Sequence, residues 1–285
     1  MTTFSISSPA PAVSPRLVGV VNITEDSFSD GGRYLAAEDA LAHARRLRSE
    51  GADVIELGPA SSHPDATQVS AEEERRRVAP VIQRLVADNI PVSVDSLLPD
   101  TQRFALAHGA AYLNDIQGFP EPDLYPALAA ADCKLVVMHS VQRTGPTTKV
   151  ATEAAAVWAG IERFFAERLT ALQAAGIRRE RLIIDPGLGF FLGSNPEPSL
   201  AVLSGIRHLK SRFGLPVLIS PSRKSFLRRL TGRDIAHMGP ATLAAELYAV
   251  RQGVDYIRTH DVAALRDALT VLDALTSYRS PPPSA

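Results

Sequence analysis

The sequence is poor in several features that mark particular classes of protein. Its 285 residues include a single cysteine, Cys133, so no intrachain disulfide can form and nothing points to a disulfide-bonded secreted fold. No apolar run approaches the ~18 residues of a membrane span, and the amino terminus lacks the pattern of an export signal. The formal net charge of −1 offers no attraction to nucleic acid or to an anionic membrane. We therefore expect a soluble cytoplasmic protein with neither kind of partner.

Two kinds of motif are also missing. Neither HExxH nor CxxC spacing occurs, so we expect no structural zinc site. The stretch VVNITEDSFSDGG lacks the G-x-G-x-x-G fingerprint that usually follows the first strand of a doubly wound sheet. What the sequence does contain is 45% hydrophobic residues, enough for a substantial core. Residues 1–15 and 279–285 are predicted to be disordered tails rich in Ser and Pro, which leaves a single domain over 16–278.

Eight short apolar runs, each followed by a helical segment, fill this domain. The runs are nearly continuous rather than alternating, as in parallel strands buried on both faces. A capping box from Ser70 to Glu73 opens the second helix, whose Val78, Ile82 and Leu85 fall on one face. Eight strand–helix units in about 250 residues predict an α/β fold, the (β/α)8 TIM barrel, in preference to a doubly wound sheet. The predicted strands are 16–22, 52–58, 90–96, 111–116, 133–140, 181–187, 215–222 and 254–261.

Polar residues stand at the carboxyl ends of the predicted strands, which in a TIM barrel meet at one mouth. Taken singly, Asn22 or Asp95 could cap the next helix, and His139 could be a hydrogen-bonded core histidine. Together the residues favour a polar ligand, because burying such groups unpaired would cost roughly 1–3 kcal/mol each. They are Asn22, Glu56, Asp95, Asn114, Asp115, His139, Asp185, Ser222, Arg223, Lys224, Arg258 and His260.

The charges are sorted around this mouth. Strands three, four and six carry carboxylate and amide oxygens, which suit the N–H edge of a flat heterocycle, in Asp95, Asn114 and Asp185. Strands seven and eight carry groups that suit phosphate, in Lys224, Arg258 and His260. We therefore expect a nitrogen heterocycle with a phosphorylated arm. A Mg²⁺ ion held mainly by that phosphate would need one protein oxygen.

Seven segments, in order, resemble the motifs of dihydropteroate synthase from residue 17 to about 276. They are VVNITEDSFSDGG, VSVDS, YLNDI, VVMH, IDPGLGF, SRKSF and IRTHD. The resemblance implies a transferase of folate biosynthesis that condenses 6-hydroxymethyl-7,8-dihydropterin pyrophosphate with 4-aminobenzoate, and it also implies a homodimer. Consistent with pairing, the helical segments 240–253 and 262–278 carry apolar residues on more than one side.

The resemblance also implies roles for individual residues. Asp95, Asn114, Asp185 and Lys224 match the pterin-binding residues, and the carboxylates of Asp95 and Asp185 would stabilise positive charge on the pterin. Arg258 and His260 match the pyrophosphate ligands and, with Mg²⁺, would stabilise the departing pyrophosphate. Loops 23–36 and 59–69 match two loops that close on substrate in this family. The implied catalytic residues are Asp95, Asp185, Lys224, Arg258 and His260, with Asn22 as the Mg²⁺ contact. The implied substrate-binding residues further include Ser62, His63, Pro64, Asn114, Met138, Phe190, Phe191, Ser222 and Thr259, of which Ser62, Pro64 and Ser222 match positions beside the aminobenzoate.

One departure from the family pattern falls in the second of these loops. It reads GPASSHPDA where the family usually has GGESTRPGA, so His63 replaces an arginine and a permanent cation is lost. The alternative function is a non-catalytic or methyltransferase-type pterin-binding barrel. The retained SRKSF motif, Arg258 and His260 favour the synthase over that alternative.

The second departure is the segment GFFLGSNPEPS, which adds an aromatic residue and lengthens the loop after strand six. Here the chain resembles the mobile, sulfonamide-resistant type of the family. We expect Phe190 to wall the pterin and aminobenzoate rings, and Phe191 to crowd the space that a sulfonamide would enter beyond them. The alternative is that Phe191 fills a gap beneath the loop.

Overall fold

The computed structural model describes residues 14–23, 33–61, 68–142 and 149–278, and side chains from residue 36 onward in the first helix. The tails predicted as disordered lie outside these ranges, except for residues 14 and 15. So do Ser62, His63 and Pro64, together with most of the loops 23–36 and 59–69. No helix within the described ranges is long and apolar enough to cross a membrane.

Eight parallel strands form a nearly closed barrel. They run in sequence order around the sheet, and β1 pairs with both β2 and β8. Between β6 and β7 the sheet is joined by a single bridge, in which Ile184 N donates to Pro216 O at 3.0 Å. The TIM-barrel prediction is confirmed. The strands are β1 (Arg16–Asn22), β2 (Val54–Gly58), β3 (Val92–Asp95), β4 (Tyr112–Asp115), β5 (Lys134–Met138), β6 (Leu182–Asp185), β7 (Leu218–Ile219) and β8 (Tyr256–Thr259).

Ten α-helices connect the strands and cover the barrel within the described ranges. In α2, the Ser70 hydroxyl accepts a hydrogen bond from Glu73 N at 3.2 Å, and Val78, Ile82 and Leu85 are buried, as predicted. The helices are α1 (Arg33–Ser49), α2 (Ala71–Ala87), α3 (Pro99–Ala107), α4 (Tyr125–Ala130), α5 (Ala154–Ala174), α6 (Glu197–Ser204), α7 (Ile206–Phe213), α8 (Ser225–Thr231), α9 (Gly239–Arg251) and α10 (Val262–Ser277).

The regular part of β7 is much shorter than predicted. The sequence indicated a strand over 215–222, whereas only Leu218 and Ile219 pair regularly. The run contains Pro216 and Pro221, which lack the N–H group that a sheet ladder requires. The prolines therefore limit β7 to a short segment beside β8.

Strand alternation brings the polar residues together inside the barrel. Side chains two residues apart on a strand point to the same face. A lower layer of apolar and tyrosyl side chains fills the lumen, comprising Val18, Val54, Tyr112, Val136, Ile183, Leu218 and Tyr256. Two residues further along their strands lie Glu56, Asn114, Asp185 and Arg258, all buried. The same alternation that builds the lumen core therefore directs these polar groups to the mouth.

Cys133 lies just before β5, at the end of the barrel away from the mouth. Its side chain is buried, and Arg181 donates from Nε to its carbonyl oxygen at 2.7 Å. Burial raises the pKa of the thiol. It is a core residue, and its thiol is remote from the polar mouth.

Candidate active site

Two of the three hydrogen-bond acceptors predicted to face a heterocycle lie on neighbouring strands. Asp95 and Asn114 are register partners at the ends of β3 and β4. Asn114 Nδ2 donates to Asp95 Oδ1 at 2.7 Å, which orients the amide. Its other atom, Asn114 Oδ1, is buried and has no hydrogen-bond partner among the described residues. The pair therefore leaves one buried acceptor available at the mouth.

Arg258 lies among carboxylates in the centre of the barrel. Its Nη2 donates to Glu56 Oε2 at 2.9 Å, its Nη1 donates to Asp185 Oδ2 at 3.3 Å, and its Nε lies 2.6 Å from Glu56 Oε1. The sequence placed Glu56 at the mouth but not among the site residues. The structure makes it the principal partner of Arg258.

Burial controls the protonation of this cluster. It raises the pKa of Asp95 and of Asp185, and it raises the pKa of Glu56 to about 7, although the Arg258 cation opposes each shift. The pKa of Arg258 itself lies above its ordinary value, because the surrounding carboxylates outweigh the effect of burial. The cluster therefore combines a permanent cation with carboxylates that burial makes easier to protonate.

Lys224 and Phe191 form a second part of the mouth. Lys224 Nζ lies 4.7 Å from the centroid of the Phe191 ring, within the range of a cation–π interaction. Burial and the Arg258 cation lower the pKa of Lys224 to about 8, against the opposing pull of the nearby carboxylates. Phe191 is only 5% exposed and packs with Met138 and Ile116. Phe191 therefore lines the mouth at a buried position, whereas the side chain of Phe190 is partly exposed.

His260 pairs with Ser222 across the ends of β8 and β7. Its Nδ1 lies 2.9 Å from Ser222 Oγ. Burial, followed by the charges of Arg223 and Lys224, lowers the pKa of His260 to about 3, so the imidazole is neutral near pH 7. Arg223, next to this pair, has a φ of +60°, a left-handed conformation that few non-glycine residues adopt. His260 thus presents a neutral ring to the mouth.

Two residues at the mouth have side chains held elsewhere. Thr259 alternates with Arg258 on β8, so its hydroxyl faces outward, where it interacts with Glu246 of α9. His139 is buried with Nδ1 3.3 Å from Pro186 O and its ring edge against Phe164. The structure therefore does not bring the Thr259 side chain into the cluster predicted from the sequence.

Asn22 ends β1 directly beside Gly58 of β2. A Cβ atom on Gly58 would lie 3.2 Å from Asn22 Oδ1, so the glycine leaves room for this exposed amide. Within the described ranges, no group of three or more His, Cys, Asp or Glu side chains is placed to hold a metal ion. Any ion at Asn22 would need most of its ligands from substrate and water.

Two further candidate residues were missed by the sequence reasoning. The Ser225 hydroxyl is buried with no hydrogen-bond partner among the described residues, and it lies 3.1 Å from where a Cβ on Gly189 would be. The SRKSF motif contained this serine, and its proximity to Lys224 was the available signal. Gln102 is buried on α3 and donates from Nε2 to Ser96 O at 2.6 Å and to Asp115 Oδ2 at 2.9 Å. No pattern in the sequence distinguished it from an ordinary helical residue.

The comparisons with known proteins agree with this geometry. The profile described as "Pterin binding enzyme" matches residues 18–260. The dihydropteroate synthase type-2 of Escherichia coli is 58% identical over 259 residues, which are 91% of this chain and 95% of the relative. The chain belongs to the dihydropteroate synthase family. Two crystal structures of the family's enzyme from Xanthomonas albilineans superpose on it, each over 93% of this chain and 94% of theirs. The structure with 4-aminobenzoic acid gives a TM-score of 0.84 at 42% identity, and that with 7,8-dihydropteroate gives 0.77 at 37%.

Proposed function

We propose that this member of the family condenses 6-hydroxymethyl-7,8-dihydropterin pyrophosphate with 4-aminobenzoate, releasing dihydropteroate and pyrophosphate. The observation that carries the proposal is the unpartnered Asn114 Oδ1, buried beside the Asp95 carboxylate at the mouth. An unsatisfied buried acceptor costs roughly 1–3 kcal/mol, and a ligand N–H group would remove that cost. A pterin presents several N–H groups along one edge and matches this need.

The carboxylates then act on the reacting carbon. As pyrophosphate leaves the exocyclic methylene, positive charge develops on the methylene and the pterin ring. Asp95 and Asp185, held at the mouth by hydrogen bonds from Asn114, Gly187 N and Arg258, stabilise that charge without having to reorient. Glu56 holds Arg258 between the carboxylates, so the guanidinium keeps the cluster from carrying a large uncompensated negative charge.

The leaving group and the amine meet the other side of the mouth. Lys224, between the pterin and the leaving group, supplies a positive charge, and neutral His260 donates from Nε2 in the tautomer whose Nδ1 accepts from the Ser222 hydroxyl. The neutral amine of 4-aminobenzoate attacks the methylene, so no side-chain nucleophile is required. Ser225 and Ser222 offer hydroxyls for its carboxylate, with Ser62 and Pro64 of the second loop as further contacts and Phe190 as a wall for its ring.

Among the described residues, Asn22 is placed to contact a Mg²⁺ ion. Asn22, with the space left by Gly58, would supply a single protein oxygen to an ion otherwise held by pyrophosphate and water. When bound, the ion would supply positive charge that stabilises the leaving group.

We also propose insensitivity to sulfonamides, with the loop of Phe190 and Phe191 as its source. The buried position of Phe191 supports the view that this ring narrows the mouth, and it equally suits the alternative that the ring fills a gap beneath the loop. Replacing residues 190–194 by a shorter loop with one phenylalanine should make sulfonamides inhibitory while turnover of 4-aminobenzoate stays measurable. If the shortened variant is active and still insensitive to sulfonamides, the alternative holds, in which Phe191 fills a gap beneath the loop.

A homodimer is part of the proposal. Large apolar side chains are exposed along α8, α10 and their surroundings, and a second copy would cover them. They include Leu230, Ile235, Tyr248, Val271, Leu275 and Tyr278. Light scattering should therefore give about twice the chain mass of 30.6 kDa. A cytoplasmic location stays a prediction.

The deciding experiment follows pyrophosphate release. The purified protein should release pyrophosphate from the pterin substrate only when 4-aminobenzoate is present, and the product should be dihydropteroate. Tight pterin binding without release of pyrophosphate would instead favour the non-catalytic pterin-binding barrel. The replacement of the loop arginine by His63 is the reason to consider that alternative.

A further inference from the structure

The loop that carries Phe191 is joined to the segment before α5 by a set of hydrogen bonds, most of which involve side chains. Thr152 N donates to Asn195 Oδ1 at 2.8 Å, and Asn195 Nδ2 donates back to Thr152 O at 3.0 Å. The Thr152 hydroxyl donates to Leu192 O, and Ser194 N donates to Val150 O at 2.9 Å. We call this set of contacts the clasp.

The local backbone is shaped to permit the clasp. Gly193 has a φ of +146°, a conformation that side chains disfavour. A Cβ atom there would collide with the Thr152 hydroxyl. The close approach of the two segments therefore requires glycine at 193, and any side chain would push Thr152 away from Leu192.

The clasp acts on Leu192, the residue that follows Phe191 of the mouth. Thr152 holds the carbonyl of Leu192, while Val141 N holds the carbonyl of Phe191 at 2.8 Å. Two successive peptide groups are thus fixed, one by Val141 after β5 and the other by Thr152 before α5. The Phe191 ring that they orient contacts Met138 and lies beneath Lys224 Nζ.

We propose that Thr152 and Asn195 are positioning residues, which hold Phe191 in place as a wall of the pterin site through the clasp. The inference rests on the proposed function, because it takes the part of the mouth beside Phe191 and Lys224 to be the pterin site, and it gives Phe191 the place beside the pterin that the sequence predicted for Phe190. The competing explanation is that burial of Leu192, which is 0% exposed, holds the loop and makes the clasp redundant.

Calorimetric binding of the dihydropterin pyrophosphate, without 4-aminobenzoate, separates these explanations. Thr152→Val has the shape of threonine but cannot donate to Leu192 O, so it should weaken binding by about tenfold, the size of one lost well-formed contact. Thr152→Ser keeps the hydroxyl and should restore wild-type affinity. Asn195→Ala, which removes both of its hydrogen bonds to Thr152, should weaken binding at least as much.

Thr270→Val is the matched control, since Thr270 makes the same kind of hydroxyl-to-carbonyl bond to Arg266 O at 2.9 Å on α10. It should bind as the wild type does. Wild-type affinity in both Thr152→Val and Asn195→Ala would overturn the positioning role of the clasp. The same role would be overturned if, in every variant, affinity fell only in proportion to the melting temperature. Failure of the wild-type protein itself to bind the pterin would instead refute the proposed function.

Discussion

The two ends of the barrel differ in whether their buried polar groups have hydrogen-bond partners. At the closed end, the rings of Tyr112 and Tyr256 lie edge to face, with centroids 6.3 Å apart. Arg16 donates to the Tyr112 hydroxyl at 3.2 Å and Lys134 to that of Tyr256 at 3.3 Å. At the mouth, Asn114 Oδ1 is buried without a partner in the described chain. Polar groups at the closed end thus satisfy one another, and those at the mouth are left for a ligand.

The two ends of the barrel also differ in the state of their buried charges. Both ends contain cations in contact with aromatic or acidic neighbours, so neither burial nor charge alone separates them. What separates them is the combination of raised carboxylate pKa values with an unsatisfied acceptor, which only the mouth shows among the residues just compared.

The largest effect is expected from Arg258→Ala at the mouth. Removing this cation leaves Glu56 and Asp185 facing each other and should raise the reaction barrier by about 2–4 kcal/mol, as for other lost electrostatic stabilisers. Stability should fall as well, because a buried pair loses one partner. Steady-state kinetics and thermal denaturation measure the two effects. Adding Glu56→Gln to Arg258→Ala should recover stability but not turnover. Near-wild-type turnover in Arg258→Ala would contradict the placement of Arg258 in the catalytic site.

A second effect at the mouth should appear in the pH dependence of kcat/KM. The pKa of Lys224 is lowered to about 8, so the protonated form is lost as pH rises through that value. If catalysis needs the cation, kcat/KM should fall by about tenfold per pH unit above 8. Lys224→Arg keeps its charge and should remove this alkaline limb. An unchanged limb in that variant would assign the titration to another group.

Glu246→Gln tests whether a buried carboxyl outside the mouth affects stability without affecting activity. Burial raises its pKa to about 8 from 4.5, so wild-type stability should fall, relative to Glu246→Gln, as pH rises from about 4.5 to 8. The neutral glutamine should therefore be more stable by roughly 1–3 kcal/mol at pH 8, with no advantage near pH 4.5. Chemical denaturation at several pH values measures this, and kcat/KM should stay unchanged. A large loss of activity in Glu246→Gln would contradict the distinction between this carboxyl and those of the mouth.

The smallest effect is expected at the closed end. Tyr112→Phe removes the hydroxyl that accepts from Arg16, and it should cost about 0.5–1.5 kcal/mol of stability, the net contribution of one hydrogen bond. Turnover should remain at the wild-type level in the same preparation. A kinetic defect larger than the stability defect would show that the two ends are coupled.

Much of the site followed from one-dimensional patterns. Because side chains alternate along a strand, VIELG, YLND, LIID and YIRT determine that Glu56, Asn114, Asp185 and Arg258 share the lumen. The same rule, applied to Thr259, would have directed its hydroxyl away from the cluster. The strand pattern was less informative for β7, where Pro216 and Pro221 shorten the paired segment.

The barrel and the polar residues at its mouth could be predicted from the chain alone, because they depend on periodicities that act over a few residues. Long-range packing was needed to show that Glu56 holds Arg258, 202 positions away, and that Phe191 rather than Phe190 takes the buried place beside Lys224. Consecutive loop residues have no fixed alternation. Their orientation is set by long-range contacts, here hydrogen bonds between segments 43 residues apart.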